Sequence, residues 1–210
     1  DGHPIGSYSQ PADVESALFK TERNAPIPHD SYGKGNGSVL LYPVYAYTGN
    51  PNAARYEIEV TSKYPENLHG FSPSVHRIYA AKTELTDLYD DAPRTGTYYW
   101  RVRGMDSTGK PVGEWSLPQE IKNPVKHWKV AVYGDSISHG GGHLSFGPSD
   151  LAYSYESYLD FPSINLSQSG DTSEAMVMRF EKDVLPFSPD YLLILGGTNN
   201  LRADITDSPL

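Results

Sequence analysis

The chain alternates apolar and polar positions in two different rhythms. From residue 39 to 118 the rhythm is two: Tyr56, Ile58 and Val60 alternate with Glu57, Glu59 and Thr61, and Tyr98, Trp100 and Val102 with Tyr99, Arg101 and Arg103. Successive side chains on a strand point to opposite faces, so this spacing predicts half-buried antiparallel strands with the charged set in water. Turn clusters such as Asp106-Ser107-Thr108-Gly109-Lys110 separate the strands, and the spacing suits a small antiparallel β-sandwich of about 80–90 residues. After Asn123-Pro124 the rhythm changes. Lys129-Val130-Ala131-Val132-Tyr133 is a short apolar run ending at Gly134, as expected of a parallel strand buried on both faces. A helix capped by Ser149 or Asp150 would place Leu151, Tyr155, Tyr158 and Leu159 on a core face. A strand over 163–166 follows, then a helix capped by Asp171, Thr172 or Ser173 that carries Met176, Val177, Phe180 and Val184. A third buried strand, 191–195, ends at Gly196-Gly197. The order β-α-β-α-β is half of a doubly wound sheet.

The predicted fold class is therefore α/β, a flavodoxin-like doubly wound parallel sheet, incomplete in this chain, with an N-terminal antiparallel β-sandwich domain. Residues 1–35 are rich in Pro, Asn, Gly and Ser and show no apolar period; they read as an extended N-terminal arm, with a short helix permitted over 12–19. The sandwich takes 36–122 and the α/β part 128–210. Gly33-Lys34-Gly35-Asn36-Gly37-Ser38 has neither the preceding strand nor the closing Gly-Lys-Ser/Thr of a phosphate loop and reads as a flexible connection. The acidic runs 87–91 and 181–183 read as solvated faces.

Part of the antiparallel stretch resembles a known module. Thr97-Tyr98-Tyr99-Trp100-Arg101-Val102-Arg103-Gly104-Met105-Asp106, followed by Gly109 and Gly113-Glu114-Trp115-Ser116, is similar to the last two strands of a fibronectin type III module. Tyr42-Pro43-Val44 and residues 54–60 fit its earlier strands, although 63–74 makes a loop longer than usual. The resemblance implies a spacer or docking surface.

Composition narrows the function classes. The 210 residues carry a formal charge of −9, which argues against nucleic acid and anionic membranes as partners. Residues 128–210 hold 4 basic and 11 acidic groups, a field that repels anionic substrates and leaves neutral ones unaffected. With Cys 0, thiol catalysis and cysteine-ligated metals are excluded. No apolar run approaches the ~18 residues that span a bilayer, so a soluble protein is expected.

In an open α/β sheet ligands bind beyond the carboxyl ends of the strands. Three loops lie there: Gly134-Asp135-Ser136-Ile137-Ser138-His139-Gly140, Ser167-Gln168-Ser169-Gly170-Asp171 and Gly196-Gly197-Thr198-Asn199-Asn200. They offer a hydroxyl at a strand-to-helix turn, a glycine that admits close backbone approach, and a neutral amide donor. Acyl transfer needs that set, because attack on an ester carbonyl builds an oxyanion that fixed donors stabilise. The same loops resemble the first three sequence blocks of the SGNH hydrolases, the GDSL-type esterases and lipases. By that resemblance Ser136 is the nucleophile, and the oxyanion donors are the Ser136 and Gly170 backbone N–H groups and the Asn199 side chain. Asp135 and Asn200 are supporting residues, Asn200 standing where the family usually has Asp. The resemblance implies no metal and no organic cofactor.

The family's general base is a histidine from an Asp-x-x-His block, and none follows Asn199. Glu66-x-x-His69 lies in the sandwich, while His139 and His143 read as crevice-lining or substrate-contacting. The expectation is that the C-terminal fragment of the same protein, nicked near Leu210 and still associated, supplies the remaining strands and the His/Asp pair. The chain alone would be inactive. The leading reading is a secreted or cell-surface esterase acting on neutral acyl esters, with acetylated glycans favoured by the Tyr-rich surface. The start at Asp1 and the lack of cysteine enter that expectation of location. The alternative is a non-catalytic glycan- or protein-binding protein on an SGNH scaffold.

Overall fold

The computed structural model describes residues 24–29, 37–140 and 154–201. The possible helix over 12–19, most of the 33–38 connection, His143 and Leu151 lie outside them.

The fold is mixed α/β, with two antiparallel sheets and one parallel sheet. The first antiparallel sheet joins β1 (Ile27–Pro28), β3 (Val44–Thr48) and β6 (Asp87–Tyr89) in the order β1-β3-β6. The second joins β4 (Arg55–Thr61), β5 (Arg77–Thr83), β7 (Gly96–Met105) and β8 (Gln119–Asn123) in the order β5-β4-β7-β8. One apolar core serves both: Tyr45 and Tyr47 from β3 meet Tyr56, Ile58 and Val60 from β4 and Tyr98, Trp100 and Val102 from β7. The rings of Tyr45 and Trp100 meet tilted at 5.2 Å and those of Tyr47 and Tyr56 edge-on at 4.9 Å, within the range at which aromatic pairs add to simple burial.

The period-two reading places Glu57, Glu59, Arg101 and Arg103 in water, and here the structure differs. Glu59 and Arg101 are both 0% exposed, because the long loop at 62–76 and the turn at 111–118 cover their face of the sheet. Arg101 donates to Glu59 at 2.8 Å and to the Asn67 carbonyl at 2.7 Å, and Arg103 pairs with Glu57 at 2.6 Å. Trp115 lies against the guanidinium groups of Arg77, Arg101 and Arg103, at 5.8, 4.7 and 4.3 Å from its ring centre. Its indole N–H donates to the Ser72 carbonyl at 3.1 Å. The long 62–76 loop is thus the lid of a buried ionic layer, whose charges are paired and hydrogen-bonded as burial requires.

The parallel sheet has the order β11-β9-β10-β2: β9 (Val130–Gly134), β10 (Ile164–Asn165) and β11 (Tyr191–Leu195), with β2 (Val39–Leu40) at the far edge. The alternation reading assigns Val39 and Leu40 to the antiparallel region; instead they pair in parallel register with Ile164 and Asn165. Leu41 and Tyr42 then enter the core with Trp128, Ala131, Ile164 and Leu166. Asn123 at the end of β8 ties this crossing down, donating to the Leu40 carbonyl at 3.1 Å and the Arg94 carbonyl at 2.7 Å.

β9 is central and fully buried, as its apolar run requires. β11, expected to be buried, is an edge strand among the described residues, with Tyr191 63% and Ile194 62% exposed. The helix α2 (Ser173–Asp183) starts at Thr172, whose hydroxyl accepts from the Ala175 N–H at 3.3 Å. Met176 and Val184 are in the core and Phe180 packs on it, but Val177 points outward. Residues 155–158 form a single 3₁₀ turn capped by Ser154, and Tyr158, expected in the core, is 90% exposed. The acidic runs are not wholly solvated either. Asp90 and Asp183 are buried, each held by a tyrosine hydroxyl and an arginine: Tyr45 and Arg94 for Asp90, Tyr42 and Arg179 for Asp183.

Candidate active site

The parallel sheet reverses its strand order at β9: the next strand in sequence, β10, lies on one side of it and β11 on the other. The carboxyl end of β9 is therefore the switch point where such sheets bind ligands. Gly134 ends that strand against β11. A Cβ there would sit 2.0 Å from the Leu195 carbonyl oxygen and 2.5 Å from the Ser138 hydroxyl, so the position admits only glycine. Asp135 is the N-cap of the short helix α1 (Ser136–His139), its carboxylate accepting from the Ile137 N–H at 3.0 Å. The other Asp135 carboxylate oxygen is buried without a partner among the described residues. Gly140 closes the helix in the left-handed conformation at φ 90°. Ser136 stands half-buried at the first helical position.

The three loops named from the sequence are hydrogen-bonded to one another. The Gln168 N–H donates to the Gly134 carbonyl at 3.0 Å, joining the second loop to the first. The Asn199 amide donates to the Asp171 carbonyl at 2.8 Å, joining the third to the second, and the Ser138 hydroxyl reaches the Leu195 carbonyl at 3.4 Å. Asn199 thus commits one of its two amide hydrogens and keeps a second. Asn200 sits apart from this junction at the start of α2: its carbonyl oxygen accepts from the Ser173 N–H at 2.9 Å, and its amide donates to Ser173 and Glu174.

Within residues 167–171, the N–H groups of Ser167, Gln168, Ser169 and Asp171 all donate to protein acceptors. Gly170, with φ 89°, keeps its N–H without an acceptor among the described residues. The same is true of the Ser136 N–H, as expected at the first turn of a helix.

Beneath the loops lies Arg179, which the sequence reading passed over. Its guanidinium bonds the Asp171 carboxylate, the Leu166 carbonyl, Asp183 and the Gly134 carbonyl, and stacks on Tyr133 at 4.2 Å. Burial raises the Asp171 carboxyl above its usual range, and Arg179 opposes that rise. A signal for it existed: Arg179 is one of only four basic residues in 128–210, four positions before Asp183 on a predicted helix.

A second unforeseen group is Glu156. It is fully buried, and burial pushes its carboxyl up to about 7. It accepts from the Ser163 hydroxyl at 2.6 Å and the Asn165 amide at 2.8 Å; Asn165 also donates to the Ser138 carbonyl of α1 at 2.8 Å.

His139, expected to line the crevice or contact substrate, is instead sealed in the interior. It is 0% exposed, its Nε2–H donates to the Tyr42 carbonyl at 2.8 Å, and burial lowers it to about 4, so it stays neutral. Glu66 is occupied by the Ser74 hydroxyl and Val75 N–H, while His69 is exposed beside Glu114. Among the described residues no group of three or more Asp, Glu and His side chains is arranged to hold a metal ion.

A parallel sheet with three loops hydrogen-bonded to one another at its switch point is the kind of place where open α/β sheets bind ligands. Residues 132–210 match the GDSL-like Lipase/Acylhydrolase family, which points to a hydrolase acting on esters. No curated protein matches the chain.

Proposed function

We propose that this chain carries the nucleophile and oxyanion hole of an SGNH-type serine esterase. One observation supports the reading above the rest: Ser136 and Gly170, at the ends of two adjacent strands, keep backbone N–H groups without acceptors among the described residues, while the other amides of the 167–171 loop are all engaged. Unspent donors fixed by surrounding hydrogen bonds are what a developing oxyanion needs. The second amide hydrogen of Asn199 is the third donor.

In this mechanism the Ser136 hydroxyl oxygen attacks the ester carbonyl carbon and its proton passes to a histidine base. The carbonyl electron pair moves onto oxygen and is held by the three donors. Collapse of the tetrahedral intermediate expels the alcohol, which takes the proton back from the histidine. Water then attacks the acyl-enzyme, the histidine again carrying the proton, and the carboxylic acid leaves with Ser136 restored. In this reading an associated C-terminal fragment of the same protein supplies the histidine and its aspartate. Support for this lies at β11, whose exposed Leu193, Ile194 and Leu195 form a parallel-sheet edge of the kind that further strands and helices cover. The two antiparallel sheets serve as a fibronectin type III-like module. The substrate class is a neutral acyl ester, which the acidic charge of residues 128–210 does not repel, with an acylated glycan favoured by the Tyr-rich surface.

A fluorophosphonate should label Ser136 in the full-length protein, with hydrolysis of short p-nitrophenyl esters, and Ser136→Ala should lose both, turnover falling by about 10⁴-fold or more. Undiminished labelling or turnover in Ser136→Ala removes Ser136 as nucleophile. A full-length protein that neither labels nor turns over esters returns the choice to a binding protein on the same scaffold.

A further inference from the structure

The loop that carries Gly170 is tied down mostly by its own surroundings. Ser167 N–H donates to the Asn165 side chain at 3.0 Å, Gln168 N–H to Gly134 at 3.0 Å, and Asp171 N–H to Gln168 at 3.4 Å. Of the loop's donating N–H groups the remaining one reaches the antiparallel region: the Ser169 N–H donates to the Tyr89 hydroxyl at 3.2 Å. Ser169 adjoins Gly170, and a glycine at φ 89° has no side chain of its own to pin the peptide.

Tyr89 is itself well placed to hold something. It ends β6, where it pairs with Val44 of β3, and its ring packs on the core of the parallel sheet. The ring meets His139 edge-on, centroids 5.2 Å apart at 79°. His139 is the last residue of α1, the helix that begins at Ser136, and it is locked to the Tyr42 carbonyl on the far side. One side chain from the antiparallel region therefore touches both the nucleophile's helix and the oxyanion loop.

We infer that Tyr89 is a positioning residue that sets the Gly170 N–H for catalysis, so that the antiparallel region is a working part of the active site. The inference rests on the esterase reading above. It gives the preceding region a task that a spacer or docking surface does not have. Burial raises the Tyr89 phenol well above its ordinary value, with the Ser169 N–H opposing, so the hydroxyl stays neutral across the working pH range.

Tyr89→Phe in the full-length protein removes the hydroxyl and keeps the ring against His139. The expected result is a fall in kcat of roughly two- to tenfold, the yield of one neutral hydrogen bond, with KM for p-nitrophenyl acetate unchanged. Phosphonate labelling of Ser136 should slow by the same factor. Amide exchange at Ser169 should quicken while amides of β9 keep their protection. Unchanged kcat, or unchanged exchange at Ser169, overturns the inference; so does a loss confined to melting temperature. If the wild-type protein turns over no ester, the esterase reading fails and with it the catalytic purpose of Tyr89, and exchange at Ser169 then shows only whether the hydroxyl holds the loop.

Discussion

Glu156 offers a test in which the sign and size of an effect come from burial alone. Its carboxyl is fully buried behind α1, and its partners, the Ser163 hydroxyl and the Asn165 amide, are neutral. No cation among the described residues pairs with it. The carboxyl therefore rises from 4.5 to about 7, with burial the main cause and the two hydrogen bonds opposing it. A carboxyl whose folded value lies above its unfolded one binds its proton more tightly in the native state. Stability is then fully present below about pH 4.5 and is lost as pH rises toward and through 7. At about 1.4 kcal/mol per pH unit of difference, the loss amounts to roughly 3 kcal/mol by pH 8. Glu156→Gln removes the titration and keeps the shape: its amide can donate to the Ser163 oxygen while its carbonyl accepts from Asn165. Urea unfolding of both proteins should give similar stabilities at pH 4.5 and a variant more stable by about 3 kcal/mol at pH 8. A difference that is the same at both pH values refutes the argument, and carbon NMR of the Glu156 carboxyl should titrate near 7.

Three further outcomes follow from the same structure. Asn199→Ala removes the proposed oxyanion donor and the link to Asp171, and should lower kcat for ester hydrolysis by about 10²–10³-fold in steady-state assays while circular dichroism stays native. Gly134→Ala puts a methyl group 2.0 Å from the Leu195 carbonyl; forcing β9 and β11 apart should cost more than about 3 kcal/mol, read as a sharply lowered melting temperature or insoluble protein. Glu59→Ala leaves Arg101 buried without its carboxylate and should cost about 3–5 kcal/mol in urea unfolding, far more than loss of an exposed pair such as Lys122 with Glu120.

What the sequence makes legible here is local. The apolar run into Gly134, the alternation through Tyr56-Glu57-Ile58 and the three strand-end loops each announce themselves within a few residues, and the structure joins those loops through Gly134, Asp171 and Asn199. What stays hidden depends on partners far along the chain. Alternation assigns Glu57, Glu59, Arg101 and Arg103 to solvent because nothing nearby says that Trp115 and the 62–76 loop will cover them. Asp90 and Asp183 look like members of charge runs until Arg94 and Arg179 are seen closing on them. Tyr158 keeps helical spacing in the sequence but ends a single 3₁₀ turn, and its ring lies outside the core. Val39 and Leu40 make a strand of two residues, too short to show any period, and only Ile164 and Asn165 reveal which sheet they serve. Tyr89 is silent for the same reason: it sits 80 residues from Ser169.

The pairing of β2 with β10 also bears on how the molecule assembles. Val39 and Ile164 are 125 residues apart, and closing so long an unstructured loop costs about 4 kcal/mol in chain entropy. If the antiparallel sheets form first, Asn123 is already held at Leu40; the loop left to close is then about 40 residues, and the cost falls by about 1 kcal/mol. Pulse-labelled exchange during refolding should show β4 and β7 amides protected before those of Val39 and Leu41, and the reverse order would exclude this route. The antiparallel region then acts as a scaffold in time, gathering the two distant ends of the parallel sheet before its edge is sealed.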